Sequence, residues 1–372
     1  MRGDLTREQA YLVLNGLQSV GPVGLKRLMD AFKGDPLAIL NASVSALESV
    51  YRVGPAMSSS LRNWRENFDL EREEGRMQKS GVDFVSSEDQ QYPALLKEMY
   101  DPPVGLYFKG KYRLSNPAIA IVGSRRMTLY GQSVAHKFGV ALAKAGFCIV
   151  SGLARGIDTA AHEGALSAGG KTVAVLGCGL DIIYPPENLD LYRRISEEGA
   201  ILSEFPFGRR ADRQTFPMRN RIVAGLSIAT VVVESALNGG AMITARFAGE
   251  QGRQLFAVPG RIDQSSSSGC HALIRDGAVL VSCVDDILEE LMYLFPTLGT
   301  KNDSEETERP AVVYLEEKEK ALIECFRGGN SLNSDQLASM LSFPISEVSS
   351  LLMLLELKQL IRKRMDGFFE QV

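Results

Sequence analysis

Seven short apolar runs punctuate the middle of the chain, at 119–122, 147–150, 172–176, 200–203, 229–233, 254–257 and 278–281. Each lasts four or five residues with little polar alternation, the pattern of strands covered on both faces. Segments with helical apolar spacing lie between them. This alternation predicts an α/β domain built on a Rossmann-like, doubly wound, mainly parallel sheet. The first two runs end in Gly123-Ser124-Arg125 and in Ser151-Gly152-Leu153-Ala154-Arg155-Gly156-Ile157-Asp158. Loops beyond the carboxyl ends of parallel strands gather along one edge, so both turns should face one crevice. Glycines there let a ligand approach the backbone, amides at a helix start favour an anion, and each turn carries an arginine. Phosphate is the expected ligand class.

The flanks have a different rhythm. Residues 5–64 read as short helices broken by glycine turns. Within them, Ser19-Val20-Gly21-Pro22-Val23-Gly24-Leu25 has the form of a helix-hairpin-helix, with a weaker copy around Val53-Gly54-Pro55-Ala56. Such a pair serves either as a DNA-backbone contact or as a small helical packing module; both readings stand. A charged helix at 67–80 leads into apolar stretches at 82–85, 92–96 and 104–108, stiffened by Pro102 and Pro103, which predict a β-rich lead-in. Past the sheet, 295–310 turns polar and acidic and reads as a linker. Helices at about 316–326, 334–341 and 346–357 followed by strands through 360–370 have the order of a winged helix. The expected division is a helical, helix-hairpin-helix (SAM-like) domain at 1–70, a Rossmann-like domain at 71–295 with 71–117 as its lead-in, an acidic linker at 296–311 and a winged-helix domain at 312–372.

Charge sharpens this division. The net charge of −4 argues mildly against a nucleic-acid binder, but residues 119–281 hold 17 Lys and Arg against 13 Asp and Glu, and 14 of those cations are arginine. Residues 282–372 carry 9 against 17. Positive charge is thus concentrated in the sheet domain, as arginine, whose planar fork suits phosphate oxygens. The winged-helix segment holds 7 cations against 9 anions, and its presumed recognition helix, from Ser346 to Leu355, has few groups that read base edges. A protein-contact or regulatory role is expected for it. The five cysteines are widely spaced, mostly inside apolar runs and without metal-ligand spacing, which points to reduced core thiols. No apolar run reaches the roughly 18 residues of a membrane helix, and no signal-peptide core follows Met1; a cytoplasmic protein with no membrane partner is expected.

The loops carry the candidate chemistry. Neither Gly123 nor Gly177-Cys178-Gly179 begins the glycine pattern of dinucleotide-binding turns, and no P-loop is present. Arg125, at the first strand exit, reads as a phosphate contact or as half of a structural ion pair. Arg213, Arg219 and Arg221, with Asn220, lie on a basic loop and the helix start after it, beside Arg209 and Arg210. Phe216 among them is a candidate base-stacker or an ordinary core ring before Pro217. Gly123, Ser124, Ser151, Gly152, Gly239 and Gly240 would offer backbone amides to a ligand. Asp158 and His162, four apart, could be an acid and base, or Ser151 could be a nucleophile, but no third orienting group accompanies them. Asp158 as a helix N-cap with His162 packed against it is the favoured reading. Glu204 and Glu234, at strand ends, are expected to hold arginines.

These motifs together resemble the DNA-processing DprA (Smf) family. The resemblance rests on Val122-Gly123-Ser124-Arg125, on Ser151-Gly152 with Ala154-Arg155-Gly156-Ile157-Asp158 and Ala161-His162, and on Gly177, Gly179, Asp181 and Tyr184-Pro185. It continues through Ser203-Glu204, Phe216-Pro217, Arg219-Asn220-Arg221, Ile243-Thr244-Ala245, Val258-Pro259-Gly260 and Gly269-Cys270. It implies a non-catalytic protein without cofactors that binds incoming single-stranded DNA during natural transformation, protects it and loads the recombinase RecA, as a homodimer. With that function, the physical reading of the loops puts Gly123, Ser124, Arg125, Ser151, Gly152, Arg155, Arg213, Phe216, Arg219, Asn220, Arg221, Gly239 and Gly240 at the DNA. Two positions depart from the family's pattern: Gly239-Gly240-Ala241 stands where Ser-Gly-Ser is common, and His271 where Asn is usual, which implies a weaker anion contact there. The alternative is a nucleoside-monophosphate phosphoribohydrolase, an enzyme class on the same Rossmann variant. Its Pro-Gly-Gly-x-Gly-Thr-x-x-Glu signature is not met by Leu237-Asn238-Gly239-Gly240-Ala241-Met242.

Overall fold

The structure, a computed structural model, describes residues 5–17, 19–294, 317–326, 332–341, 343–357, 360–363 and 368–371. The chain divides into two compact units, 1–296 and 297–372.

A nine-stranded sheet organises the first unit. Strands β1 (Asp83–Ser86), β2 (Gly105–Gly110), β3 (Ala118–Val122), β4 (Cys148–Ser151), β5 (Thr172–Leu176), β6 (Ala200–Ser203), β7 (Ala229–Val232), β8 (Gln254–Ala257) and β9 (Val279–Leu280) lie in the order β1-β2-β6-β5-β4-β3-β7-β8-β9. From β3 the chain winds outward through β4, β5 and β6, then returns to the other side of β3 for β7, β8 and β9. The seven strands pair in parallel, and the topological switch lies between β3 and β7, where open α/β sheets form a crevice. The lead-in adds β1 and β2 as an antiparallel edge, with Tyr107 opposite Ser203. Of its three apolar stretches, the one at 92–96 forms a helical turn, Ala94–Lys97, instead of a strand.

Period-two alternation divides the side chains between two cores. Tyr107, Ala174, Leu176 and Ile201 point to one face, where Tyr11, Leu14, Leu28 and Trp64 of the N-terminal helices join the same cluster. Leu106, Phe108, Val173, Val175 and Leu202 point to the other. The N-terminal helices therefore share a core with the sheet instead of closing around one of their own. Their starts are set locally. Thr6 and Gln9 form a capping box on Arg7–Gly16, and proline occupies the first turn of Pro22–Ala31, Pro36–Asn41 and Pro55–Arg62. Polar ties add to the shared core: Glu73 accepts a bond from the Phe207 amide at 2.9 Å, and Asn15 donates to the Glu204 carbonyl at 2.8 Å.

The second unit holds helices Glu317–Glu324, Ser334–Leu341 and Ile345–Leu357, followed by the antiparallel strands β10 (Ile361–Lys363) and β11 (Phe369–Gln371). Leu322, Phe326, Leu337, Leu352, Leu355 and Ile361 make its core. This is the element order of a winged helix. The acidic linker at 296–311 lies outside the described residues. Among the described residues, no single helix is long and apolar enough to cross a membrane.

Candidate nucleic-acid interface

The exits of β3, β4 and β7 meet at the switch point. Together with the start of helix Gly240–Glu250 they enclose a crevice of about 450 Å³ lined by Gly123, Ser124, Arg125, Arg126, Asn220, Gly239 and Gly240. A narrower notch adjoins it, lined by Arg155, Tyr184, Pro185, Ala211 and Phe216, and Arg125 belongs to both. The two turns of the first βαβ unit thus face a common crevice.

Close approach requires glycine at two of these turns. A Cβ on Gly123 would stand 2.5 Å from Cγ1 of Ile157, and one on Gly156 would stand 2.2 Å from the Ser124 carbonyl oxygen. Gly156, at φ +79°, also adopts a left-handed backbone and is the N-cap of helix Ile157–Ser167. Asp158 is consequently not that cap. Its carboxylate turns back to accept the amides of Gly152 at 3.1 Å and Ala154 at 3.3 Å, bracing the loop after β4. The Gly152 amide is thereby spent internally, as is that of Gly239, which donates to the Ala236 carbonyl at 2.9 Å. The first-turn amides at Gly240 and Ala241 carry no side-chain cap and open on the crevice.

Three of the predicted residues turn inward. Ser151 is fully buried and donates its hydroxyl to the Ile121 carbonyl at 2.6 Å, so it is no nucleophile in this arrangement. Arg219, 4% exposed, donates to the carbonyls of Gly152 and Val175 and, at 3.0 Å, to Oδ1 of Asn220. It lies so close to Gly152 that a Cβ there would meet its guanidinium at 2.0 Å. It is a strut between the β4 and β5 exits, with Nε and Nη1 engaged by protein oxygens, and it still lines both the crevice and the notch, 6.0 Å from the Phe216 ring centroid. Arg221, 2% exposed, pairs with Glu204 at 2.5 Å and Asp101 at 3.5 Å, away from the crevice. The expectation that Arg221 reaches phosphate gives way to this buried ion pair; Arg219, two residues earlier and so on another side of helix Thr215–Gly225, stays at the crevice as a buried brace. Glu204 holds an arginine as expected. Glu234 instead accepts the amide of Thr128 at 2.9 Å and its hydroxyl at 2.5 Å.

Arg125 points outward. It is exposed, and its guanidinium lies 4.6 Å from the centroid of the half-buried Phe216 ring. On the same ring, Tyr184 packs at 5.7 Å with a 47° tilt and is 44% exposed. A cation and two partly open aromatic faces thus stand together at the mouth of the notch. Arg213 is exposed on the loop before Phe216, while its neighbour Arg209 pairs with Asp212 at 2.6 Å. Arg155 is exposed at the rim and pairs with Glu187. Such an exposed pair is weak and can exchange for a phosphate. Asn220 bridges Arg219 and the Gly240 carbonyl, joining the crevice wall to the helix start. His271 contacts the Gly260 carbonyl at 3.0 Å and braces the turn after β8. The sequence reading passed over Tyr184 and Arg126, an exposed residue of the crevice. The signal was present in both cases: an aromatic before Pro185 at a strand exit, and a second arginine after Arg125.

His162 stands apart from Asp158. The Thr172 hydroxyl gives its proton to the Ile149 carbonyl at 2.7 Å, so His162 Nδ1, 2.6 Å away, must donate to it. Nε2 is buried without a partner, and burial holds the imidazole down at about 3. The unfolded chain takes up this proton near 6.5, so stability is full above that pH and declines as pH falls from about 6.5 to about 3. In denaturant titrations the wild type should lose up to about 1.4 kcal/mol per pH unit more than His162→Gln across that window. Parallel pH profiles would count against this neutral, buried imidazole.

Comparison with known proteins agrees with this geometry. The family model described as DNA recombination-mediator protein A matches residues 83–292, more than half of the chain. The chain belongs to the DprA/Smf family. It is 41% identical over 290 residues to Protein Smf of Synechocystis, covering 76% of this chain and 73% of the relative. Identity to DNA processing protein DprA of Streptococcus pneumoniae is 45% over 206 residues, covering 55% of this chain and 73% of that one. The X-ray structure of the Streptococcus pneumoniae DprA superimposes with a TM-score of 0.67 at 34% identity, over 77% of this chain and 99% of that chain. A DprA structure from Helicobacter pylori, described for its unique single-stranded DNA binding mode, superimposes with a TM-score of 0.52 at 32% identity, over 57% of this chain and 98% of that one. The range matched to the DprA/Smf family runs from β1 into helix Val284–Leu294, so every residue of the crevice and the notch lies within it.

Proposed function

We propose that this DprA/Smf protein binds single-stranded DNA with little sequence preference along the crevice and notch at the switch point. One observation carries the reading: Arg125, at the β3 exit, lies on the open face of Phe216 with Tyr184 beside it. Arg125, Arg126 and the amides at Gly240 and Ala241 take phosphate oxygens, while the rings of Phe216 and Tyr184 take bases, which stack without regard to identity. Arg155 and Arg213 extend the positive rim. Arg219, Gly152 and Asp158 form the rigid floor beneath, and Gly123, Ser124, Asn220 and Gly239 shape its walls. The solved Helicobacter pylori relative, described by its single-stranded DNA binding mode, supports the same ligand.

In this reading the protein acts in natural transformation. As a non-catalytic homodimer in the cytoplasm, it shields incoming single strands and hands them to RecA for recombination. The absence of catalysis is supported by the hydrogen bonds that occupy Ser151, Asp158 and His162 one by one. A gel-shift titration with single-stranded and duplex oligonucleotides of one sequence should show preference for the single strand and steep salt dependence. Equal or better duplex binding would contradict it. Incubation with nucleoside monophosphates should release no free base, whereas turnover abolished by Asp158→Ala would favour the phosphoribohydrolase reading.

A further inference from the structure

The helix-hairpin-helix pair remains unused by this crevice, yet its surface carries a second cation–aromatic cluster. Tyr51 is 70% exposed, and the guanidinium groups of Arg27 and Arg52 each lie 5.3 Å from its ring centroid. Among the described residues neither arginine makes an ion pair, so both charges face solvent uncompensated by a contact. Beside them Lys26 bonds the Tyr100 carbonyl at 2.9 Å and lies 5.2 Å from that ring, which is also 70% exposed. An exposed ring such as Tyr51, flanked by two guanidinium groups, is suited to stacking a base, with the guanidinium forks open to phosphates.

Position connects this cluster to the crevice. The basic loop before Phe216 is a shared wall: Ala211 and Phe216 line the notch on one side, while Arg209, Gln214 and Met218 line a second cavity on the other. That second cavity is closed across from the loop by Gly21 and Pro22, the start of the helix that bears Lys26 and Arg27. Gly24 of the same helix abuts Met57, so the second hairpin and Tyr51 sit against the first. A chain crossing the loop from the notch would meet the start of this helix, whose later turn bears Arg27.

We infer that the Arg27–Tyr51–Arg52 cluster is a second subsite for single-stranded DNA, holding the strand after it leaves the notch over the 209–214 loop. The inference rests on the single-strand reading of the crevice and adds to it a length requirement: short oligonucleotides fill the crevice alone, and longer ones engage both subsites.

The test compares the full chain with a triple variant, Arg27→Gln, Tyr51→Ala and Arg52→Asn. Asn suits the left-handed φ of 62° at Arg52, so the charge is removed without strain. Binding is measured with oligonucleotides of about 6 and about 30 nucleotides over a range of salt. The variant should bind the long strand about tenfold or more weakly, with a salt slope flatter by about 1.4, the value for two lost phosphate contacts. Its affinity for the short strand and its thermal midpoint should match the wild type. Equal affinity and slope on the long strand would overturn the second subsite alone, as would equal losses on both lengths. Failure of the wild type to bind any single strand would overturn the crevice reading and the subsite together.

Discussion

Replacing Arg219 by Ala should destabilise the protein by about 3–5 kcal/mol, the cost of removing one partner from a buried polar set. The guanidinium satisfies the carbonyls of Gly152 and Val175 and the Asn220 side chain, and it is the positive charge nearest the buried Asp158. Without it, the Gly152 and Val175 carbonyls lose this donor, and Asp158 keeps only the loop amides and the Ser151 hydroxyl. A lysine in its place would not restore the fold, because an ammonium cannot reach three divergent acceptors as a planar fork does. Urea unfolding of Arg219→Ala and Arg219→Lys measures this directly. A variant with wild-type stability but weakened DNA binding would show instead that Arg219 touches the ligand.

The double variant Arg125→Ala, Phe216→Ala is expected to keep its stability within about 1–2 kcal/mol, because Arg125 is exposed and Phe216 only half-buried. Its DNA binding should suffer most. Loss of one stacked base costs about 1–3 kcal/mol, and loss of one phosphate contact flattens the single-strand salt slope by about 0.7. The two side chains touch, so their separate losses should not add: once Phe216 is gone, Arg125 has no ring to hold it over the notch. Fluorescence anisotropy on both single variants and the double should therefore show a double loss smaller than the sum. Undiminished affinity in all three would remove the notch from the binding surface.

The sheet was legible because its strands are continuous apolar runs of four or five residues, too short for the buried helices that such runs could otherwise form. All seven appear within a residue or two of the predicted bounds. The antiparallel edge was less legible, since the pairing of β2 with β6 joins segments some ninety residues apart and no local pattern encodes it. The same holds for the N-terminal helices, whose apolar faces are visible in sequence but whose partner, Tyr107 and Ile201 of the sheet, is not. At the site, sequence located the loops but could not sort the arginines. Arg213, Arg219 and Arg221 look alike in a basic stretch, and only packing sorts them: Arg213 stays on the exposed loop, whereas Arg219 and Arg221, on different sides of helix Thr215–Gly225, turn to the strand-exit carbonyls and to Glu204. Glu204 and Asp101, which neutralise Arg221, come from a strand exit and a distant turn.

The most direct test of the crevice is ultraviolet crosslinking of the full chain to a single-stranded oligonucleotide, followed by mass spectrometry of the adducts. Bases stacked in the notch should crosslink to the peptides bearing Tyr184 and Phe216, and the adducts should fade as salt rises. Crosslinks that form efficiently elsewhere while sparing both peptides would contradict the placement of DNA at the switch point.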